Sequence, residues 1–210
     1  MYKLPNKKIW LLRAITAVMV FFGLTAVIFA GFFTIYCRTP VNGNSMFPTL
    51  NTELKINGKC DIVYINRYAK ISKGDIIVID ATKHPTFGNH IIKRLIAVEG
   101  DVVNIKYDNV SRQYQVIVNG EIVDSRPYQD FGYNTYDNFD AYIKSVDTSQ
   151  KNEKGLIIGK GKIFVLGDNW NESKDSALVG PFNIKDVYGK VEIVVKPSQN
   201  EFIQVLKRIF

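Results

Sequence analysis

Histidine and cysteine are scarce: the 210 residues hold only His84, His90, Cys37 and Cys60 of these two kinds. Two histidines and two dispersed cysteines give no metal-ligand spacing, so no metal centre is expected, and no cofactor either. Two cysteines also make a poor disulfide framework. The favoured reading is two unpaired, small apolar residues, with a bond allowed only if the chain lies outside the cytoplasm. Acidic residues are absent from positions 1 to 38, which hold Lys3, Lys7, Lys8, Arg13 and Arg38. With those five set aside, 22 basic residues face 20 acidic ones, so the formal charge of +7 is concentrated at one end. No basic stripe interleaved with aromatics lies elsewhere, and nucleic acid is not an expected partner. Internal repeats and low-complexity tracts are missing too.

That basic end flanks an apolar run. Ala14 to Cys37 is 24 residues without a charge, rich in Phe21, Phe22, Ile28, Phe29, Phe32, Phe33 and Ile35. As a helix it would be about 36 Å long, enough for a hydrocarbon core of about 30 Å. A cleaved secretory signal has a shorter apolar part and ends in a small-x-small site. Here Phe32, Phe33, Ile35 and Tyr36 occupy that end, so an uncleaved anchor is expected. Four basic residues before the run and only Arg38 after it place the N-terminus inside by the positive-inside rule. The expected plan is a cytoplasmic segment 1–13, a transmembrane anchor 14–37, an extracytoplasmic domain 38–200 and a C-terminal amphipathic segment 201–210. The expectation is a single-pass protein of the cell membrane, with the lipid bilayer as a partner.

Beyond the anchor, short apolar runs alternate with turn residues, as in a mostly antiparallel β protein. Candidate strands are Leu54 to Asn57, Asp61 to Asn66, Asp75 to Asp80, His90 to Val98, Val102 to Tyr107, Tyr114 to Val118, Lys162 to Leu166 and Val187 to Val195. Asn119-Gly120 between two apolar runs is the clearest hairpin signal. No long amphipathic helix is expected mid-chain. Ser125 to Gly155, rich in Tyr, Asp and Asn but poor in aliphatics, reads as an inserted loop or cap within a region of about 106–160. Residues 201 to 210 are roughly amphipathic; lipid contact and packing on the domain both fit.

Gly43-Asn44-Ser45-Met46-Phe47-Pro48-Thr49-Leu50 follows the anchor closely. Eight residues separate Ser45 from Cys37, at most about 29 Å of extended chain, so Ser45 is held near the bilayer surface. Gly43 and Pro48 suit a shaped loop, but composition alone would make Ser45 a turn residue. Four segments in order change that. The Gly-x-Ser-Met-x-Pro-Thr-Leu segment resembles the nucleophile box of type I signal peptidases, the bacterial leader peptidases with a serine–lysine dyad. Gly74-Asp75-Ile76-Ile77-Val78 looks like that family's next strand. His90-Ile91-Ile92-Lys93-Arg94-Leu95-Ile96-Ala97-Val98-Glu99-Gly100-Asp101 is similar to its lysine box. Gly167-Asp168-Asn169-Trp170-Asn171-Glu172-Ser173-Lys174-Asp175-Ser176 looks like its Gly-Asp-Asn box. The resemblance covers the anchor and most of the remaining chain.

Residue chemistry is consistent with it. A serine hydroxyl attacks an amide only if a positioned base takes its proton. His84 sits before Pro85 in a loop-like stretch and His90 lacks a supporting pattern, so a histidine triad is the weaker alternative to Lys93. A lysine near pKa 10.4 is charged at neutral pH, and burial among Ile91, Ile92, Leu95 and Ile96 would have to lower it. In a strand, Lys93 and Arg94 point to opposite faces, one for a dry site and one for a carboxylate. The resemblance implies that Asp175 is that carboxylate and that Ser173 bonds the lysine amine. It makes Gly167, Asp168 and Asn169 loop support. The Ser45 N–H is the evident oxyanion donor; some family members add a hydroxyl where this chain has Gly43. Trp170 and Ala177 stand where the family commonly has Arg.

The resemblance also implies preprotein signal peptides as substrates, small residues at the first and third positions before the cut, and a shallow pocket at Val41, Met46, Leu50, Ile91 and Ile92. The secretion translocon is a further candidate partner. The fold expected is mostly β: an antiparallel β-sheet peptidase domain with a smaller inserted cap, behind one N-terminal transmembrane helix. Alternatives are a single-substrate processing peptidase of the same fold and a membrane-tethered β-domain that only binds. The self-cleaving repressors, with a similar serine–lysine pair, are disfavoured by the apolar run.

Overall fold

The computed structural model describes residues 6–53, 58–127 and 135–209. The expected strand Leu54 to Asn57, and Lys3, Tyr128 and Tyr133, lie outside the described residues.

The apolar run forms a helix, α1 (Asn6–Ile35). Lys8 to Ile35 is long and apolar enough to cross a membrane, with mean hydropathy 2.4 over its most apolar 18 residues. The hydroxyls of Thr16, Thr25 and Thr34 donate back to the carbonyls of Leu12, Phe22 and Ala30 at 2.8 to 2.9 Å, so these polar groups need no water. Most of its side chains face outward; Phe32 is the exception, its ring stacked on Tyr36 at 4.6 Å and tilted against Tyr64 at 5.6 Å. The helix stops at Ile35, so Tyr36 and Cys37 open the first strand instead.

That strand is β1 (Tyr36–Pro40), and it is followed by β2 (Ile62–Asn66), β3 (Ile76–Asp80), β4 (His90–Val98), β5 (Val102–Asp108), β6 (Gln113–Val118) and β7 (Glu121–Pro127). After α2 (Thr135–Ser145) come β8 (Lys151–Asn152), β9 (Gly155–Ile157) and β10 (Lys162–Leu166). A short helix α3 (Ser176–Val179) leads to β11 (Phe182–Asn183), β12 (Val187–Val195) and the last helix α4 (Glu201–Ile209). Seven strands pair in the order β1-β2-β12-β3-β4-β10-β11, and five in the order β7-β6-β5-β9-β8. Each pairing is antiparallel. The mostly β, antiparallel class holds, and the seven expected strand runs that fall in the described residues begin and end within one residue of the observed ones.

Asn119 and Gly120 turn β6 into β7 with φ of 53° and 91°, the left-handed pair a tight hairpin requires. The smaller sheet occupies the region expected as a cap, but it also carries a helix that was not expected. In α2 the large apolar residues are mostly aromatic: Tyr136, Phe139 and Tyr142, joined by Ile143, recur at helical spacing. Phe139 is fully buried with its ring edge-on to Phe164 at 5.9 Å, and Tyr136 stacks on Tyr114 at 4.8 Å. Helix α4 packs on the larger sheet through Val205, against Tyr64, Ile193 and Val195, and leaves Phe202 and Ile203 exposed. Ion pairs Arg38–Glu201 and Arg208–Glu192 fasten its two ends. Cys37 and Cys60 are both free.

Candidate active site

Ser45 sits at the start of a helical turn after β1. Phe47 N–H donates to Asn44 O at 3.0 Å and Leu50 N–H to Met46 O at 2.9 Å. Met46 and Leu50 point inward, each 1% exposed, and anchor the turn on the larger sheet beside Val63 and Ile65. Gly43 precedes Ser45 with φ of +95°, a conformation an L side chain rarely takes, and its carbonyl accepts from Asn51 Nδ2 at 2.8 Å.

Lys93 reaches the same point from the middle of β4. Its side chain is 3% exposed, and Nζ lies 2.7 Å from Ser45 Oγ and 3.0 Å from Ile92 O. Burial lowers its pKa to about 8, while the charges of Asp175 and Asp168 pull it back up. As a neutral amine it can donate to the Ile92 carbonyl and turn its lone pair to the serine hydroxyl. His90, the histidine of the rival triad, lines the same cleft with its ring edge-on to Tyr188 at 5.1 Å; the group bonded to Ser45 is Lys93.

Arg94 points to the opposite face of β4, as strand geometry requires, but it does not meet Asp175. Its Nε and Nη2 bond both oxygens of Asp168 at 2.8 and 2.5 Å, and Nη1 donates to Gly74 O at 2.7 Å. Asp168 also accepts from the Thr49 hydroxyl. So Asp168 is the ion-pair partner, and it ties the lysine strand to the nucleophile turn. Asp175 is turned inward instead: it accepts from Gly167 N–H at 2.9 Å, from the Ser173 hydroxyl, and from Ala177 N–H at 3.1 Å, where it caps α3. Complete burial raises its pKa, and these donors oppose the rise. Ser173 is 2% exposed and gives its hydrogen to this carboxylate, while the hydrogen bonds of Lys93 Nζ go to Ser45 Oγ and Ile92 O.

The remaining loop residues act by close approach. Asn169 N–H donates to Ser45 O at 3.0 Å and its Nδ2 to Asn44 O at 3.1 Å. A Cβ on Gly167 would run into the Ser45 carbonyl and the Ser173 hydroxyl, so only glycine lets the two loops touch. Trp170, in place of the family's Arg, is buried in the core with the Arg126 guanidinium 5.9 Å from its ring, so a cation still reaches this spot from β7.

A cleft of about 350 Å³ opens at Ser45 and Lys93. Val41, Ile91 and Ile92 line it with Val63 and Val78; Met46 and Leu50, expected there too, lie buried behind it. Strand β10 pairs with β4 only from Val98 to Arg94, while β3 pairs with it from Arg94 to His90. One edge of His90 to Lys93 therefore faces the cleft. Sequence reading passed over Asn51 and Asp61, both fully buried and mutually hydrogen-bonded through backbone and side chain. Neither belongs to a motif; a lone Asp before the apolar Ile62-Val63-Tyr64 was the one available hint.

Residues 10–196 match the family described as signal peptidase, peptidase S26. The chain is 31% identical over 163 residues to signal peptidase I P of Bacillus subtilis subsp. natto, covering 75% of each chain. It is 34% identical over 157 residues to signal peptidase IB of Staphylococcus aureus, covering 72% of this chain and 73% of that one. Among solved structures it is similar to a signal peptidase I from Enterococcus faecalis V583, at 22% identity and a TM-score of 0.38, over 59% of this chain and 98% of the other.

Proposed function

The chain belongs to the signal peptidase, peptidase S26, family, and from that membership we propose that it removes signal peptides from preproteins with Ser45 as nucleophile and Lys93 as general base. The observation that carries this reading is the 2.7 Å contact between Lys93 Nζ and Ser45 Oγ inside an apolar setting that lowers the amine to about pKa 8. Neutral Lys93 takes the hydroxyl proton as Ser45 Oγ attacks the scissile carbonyl. The Ser45 N–H stabilises the resulting oxyanion. Lys93 then returns the proton to the leaving amine, and an ester to Ser45 remains. Water, deprotonated by the same lysine, hydrolyses the ester and frees Ser45.

The substrate's cleavage segment lies extended along the open edge of His90 to Lys93, adding a strand to β4. Val41, Ile91 and Ile92 leave room for small side chains before the cut. Arg94, Asp168, Asn169, Gly167, Ser173 and Asp175 hold the two reacting groups together from behind. Helix α1 spans the cell membrane with its basic N-terminus in the cytoplasm, and cleavage takes place at the outer surface, where a signal peptide's apolar part ends. In detergent, Ser45→Ala and Lys93→Ala should each abolish cleavage of a purified preprotein while circular dichroism stays that of the native chain. Turnover retained by either variant overturns the reading.

A further inference from the structure

The nucleophile turn is fastened from two sides. On one, Asn169 and Asp168 hold the Ser45 carbonyl and the Thr49 hydroxyl. On the other stands Lys196, the first residue beyond β12. Its ammonium bonds three acceptors, one for each of its hydrogens: Thr49 O at 3.0 Å, the Thr52 hydroxyl at 3.0 Å and Asp61 Oδ2 at 2.8 Å. The first two belong to the loop that carries Ser45. The third is a fully buried carboxylate that pairs with Lys196.

From Asp61 the connection runs to both flanks of Ser45. Asp61 Oδ2 also accepts Asn51 N–H at 2.9 Å, and Asn51 Oδ1 accepts Asp61 N–H at 2.8 Å. Asn51 Nδ2 then donates to the carbonyls of Val41 and Gly43, each at 2.8 Å. Lys196, Asp61 and Asn51 therefore close the loop from Val41 to Thr52 into a ring around the serine. Two residues past Lys196, Ser198 donates from N and Oγ to Glu53 at 3.1 and 2.6 Å, a second stitch between the same segments.

We propose that Lys196 is a positioning residue for Ser45: it fixes the Thr49 carbonyl and the Asp61–Asn51 pair so that the hydroxyl stays in hydrogen-bond reach of Lys93. The segment after β12 thereby becomes part of the site. This rests on the reading of Ser45 and Lys93 given above. A reacting group displaced by about 1 Å can lose about 100-fold in rate, so a loosened turn acts on kcat. The substrate cleft takes most of its lining from β1, β2, β3 and β4, with only Val41, Asn42 and Ser45 drawn from the tethered loop, so KM should change far less than kcat.

The test uses the full chain in detergent with a purified preprotein. Lys196→Met should lower kcat about 10- to 100-fold with little change in KM, and Lys196→Arg should restore most of it. Lys196→Met also strands the Asp61 charge, so Asp61→Asn/Lys196→Met is the companion: its melting temperature should recover while kcat stays low. Hydrogen exchange at the Leu50 amide, bonded to Met46 O, should quicken in Lys196→Met and in the double variant. Arg208→Gln removes a cation from another ion pair and should leave kcat unchanged. Wild-type kcat in folded Lys196→Met, or kcat restored with stability in the double variant, overturns the proposal. If the wild-type chain cleaves no preprotein, the reading of Ser45 and Lys93 is what fails. In that case unchanged Leu50 exchange in Lys196→Met removes the tether as well, and faster exchange retains it.

Discussion

Arg94 and Asp168 meet through two parallel hydrogen bonds on the face of β4 that Lys93 leaves. The same carboxylate holds the Thr49 hydroxyl, so strand, Gly-Asp-Asn loop and nucleophile turn converge on one residue. Asp168 is 5% exposed, and removing its cation leaves a nearly buried charge. Arg94→Gln should cost about 1.5 to 3 kcal/mol in denaturant unfolding, the range for hydrogen bonds to charged groups. Preprotein turnover should fall with it. Arg94→Lys keeps the charge but not the two-point geometry, and should lie between the two.

Protonation of Lys93 links activity to stability. Its folded pKa of about 8 lies below the ordinary 10.5, because burial disfavours the ammonium. Only the neutral amine serves as base, so kcat/KM should rise about tenfold per pH unit up to about pH 8 and then level. Stability follows the same sign. The unfolded chain holds this proton more tightly, so burial costs roughly 3 kcal/mol in full below pH 8. That cost shrinks as pH climbs toward 10.5 and is gone above it. Urea midpoints should therefore place Lys93→Met above the wild-type chain at pH 7, with the gap closing toward pH 10.

Strand runs were legible because β10 is a nearly continuous apolar stretch and β12 alternates buried with partly exposed residues, each bounded by turn residues. The pairing of Ser45 with Lys93 was foreshadowed by the order of the four motifs, without which a lysine in a strand reads as a solvated edge position. The partner of Arg94 was not legible. Strand alternation says which face the guanidinium takes, but two carboxylates seven residues apart compete for it, and the path of the Gly-Asp-Asn loop decides. That path depends on Gly167 passing the Ser45 carbonyl and on Asp175 capping α3, both long-range facts. Lys196 lies more than 140 positions from the turn it holds, and its spacing carries no sign of that contact.

Gly43 bears on the oxyanion. Some family members carry a hydroxyl at this position, and space for one exists: a Cβ here meets nothing within 4 Å. The backbone disfavours it all the same, because φ is +95°. Gly43→Ser should cost about 1 to 3 kcal/mol in strain, seen as a lower melting temperature, and kcat should fall as the Val41–Gly43 segment shifts. A rise in kcat would mean that the site lacked a donor and that the Ser45 N–H alone was insufficient.

Cleft shape makes the last distinction. Val41 and Ile91 line the space beside Ser45, whereas Met46 and Leu50 are buried behind it. Shortening a lining residue should enlarge the pocket at some cost to the fold, since Val41 and Ile91 are 4% and 9% exposed, and shortening a residue that does not line it should only weaken the fold. Val41→Ala and Ile91→Ala are expected to raise cleavage of a preprotein with Leu before the cut relative to one with Ala, by about 10- to 100-fold in kcat/KM, the worth of one or two methylenes in a pocket. Leu50→Ala should lose about 2 to 5 kcal/mol of stability and leave that ratio alone. Competition assays with the two preproteins measure both. If Leu50→Ala shifts the ratio and Ile91→Ala does not, selection occurs at the nucleophile turn rather than along β4, and the substrate strand must run on the other side of Ser45.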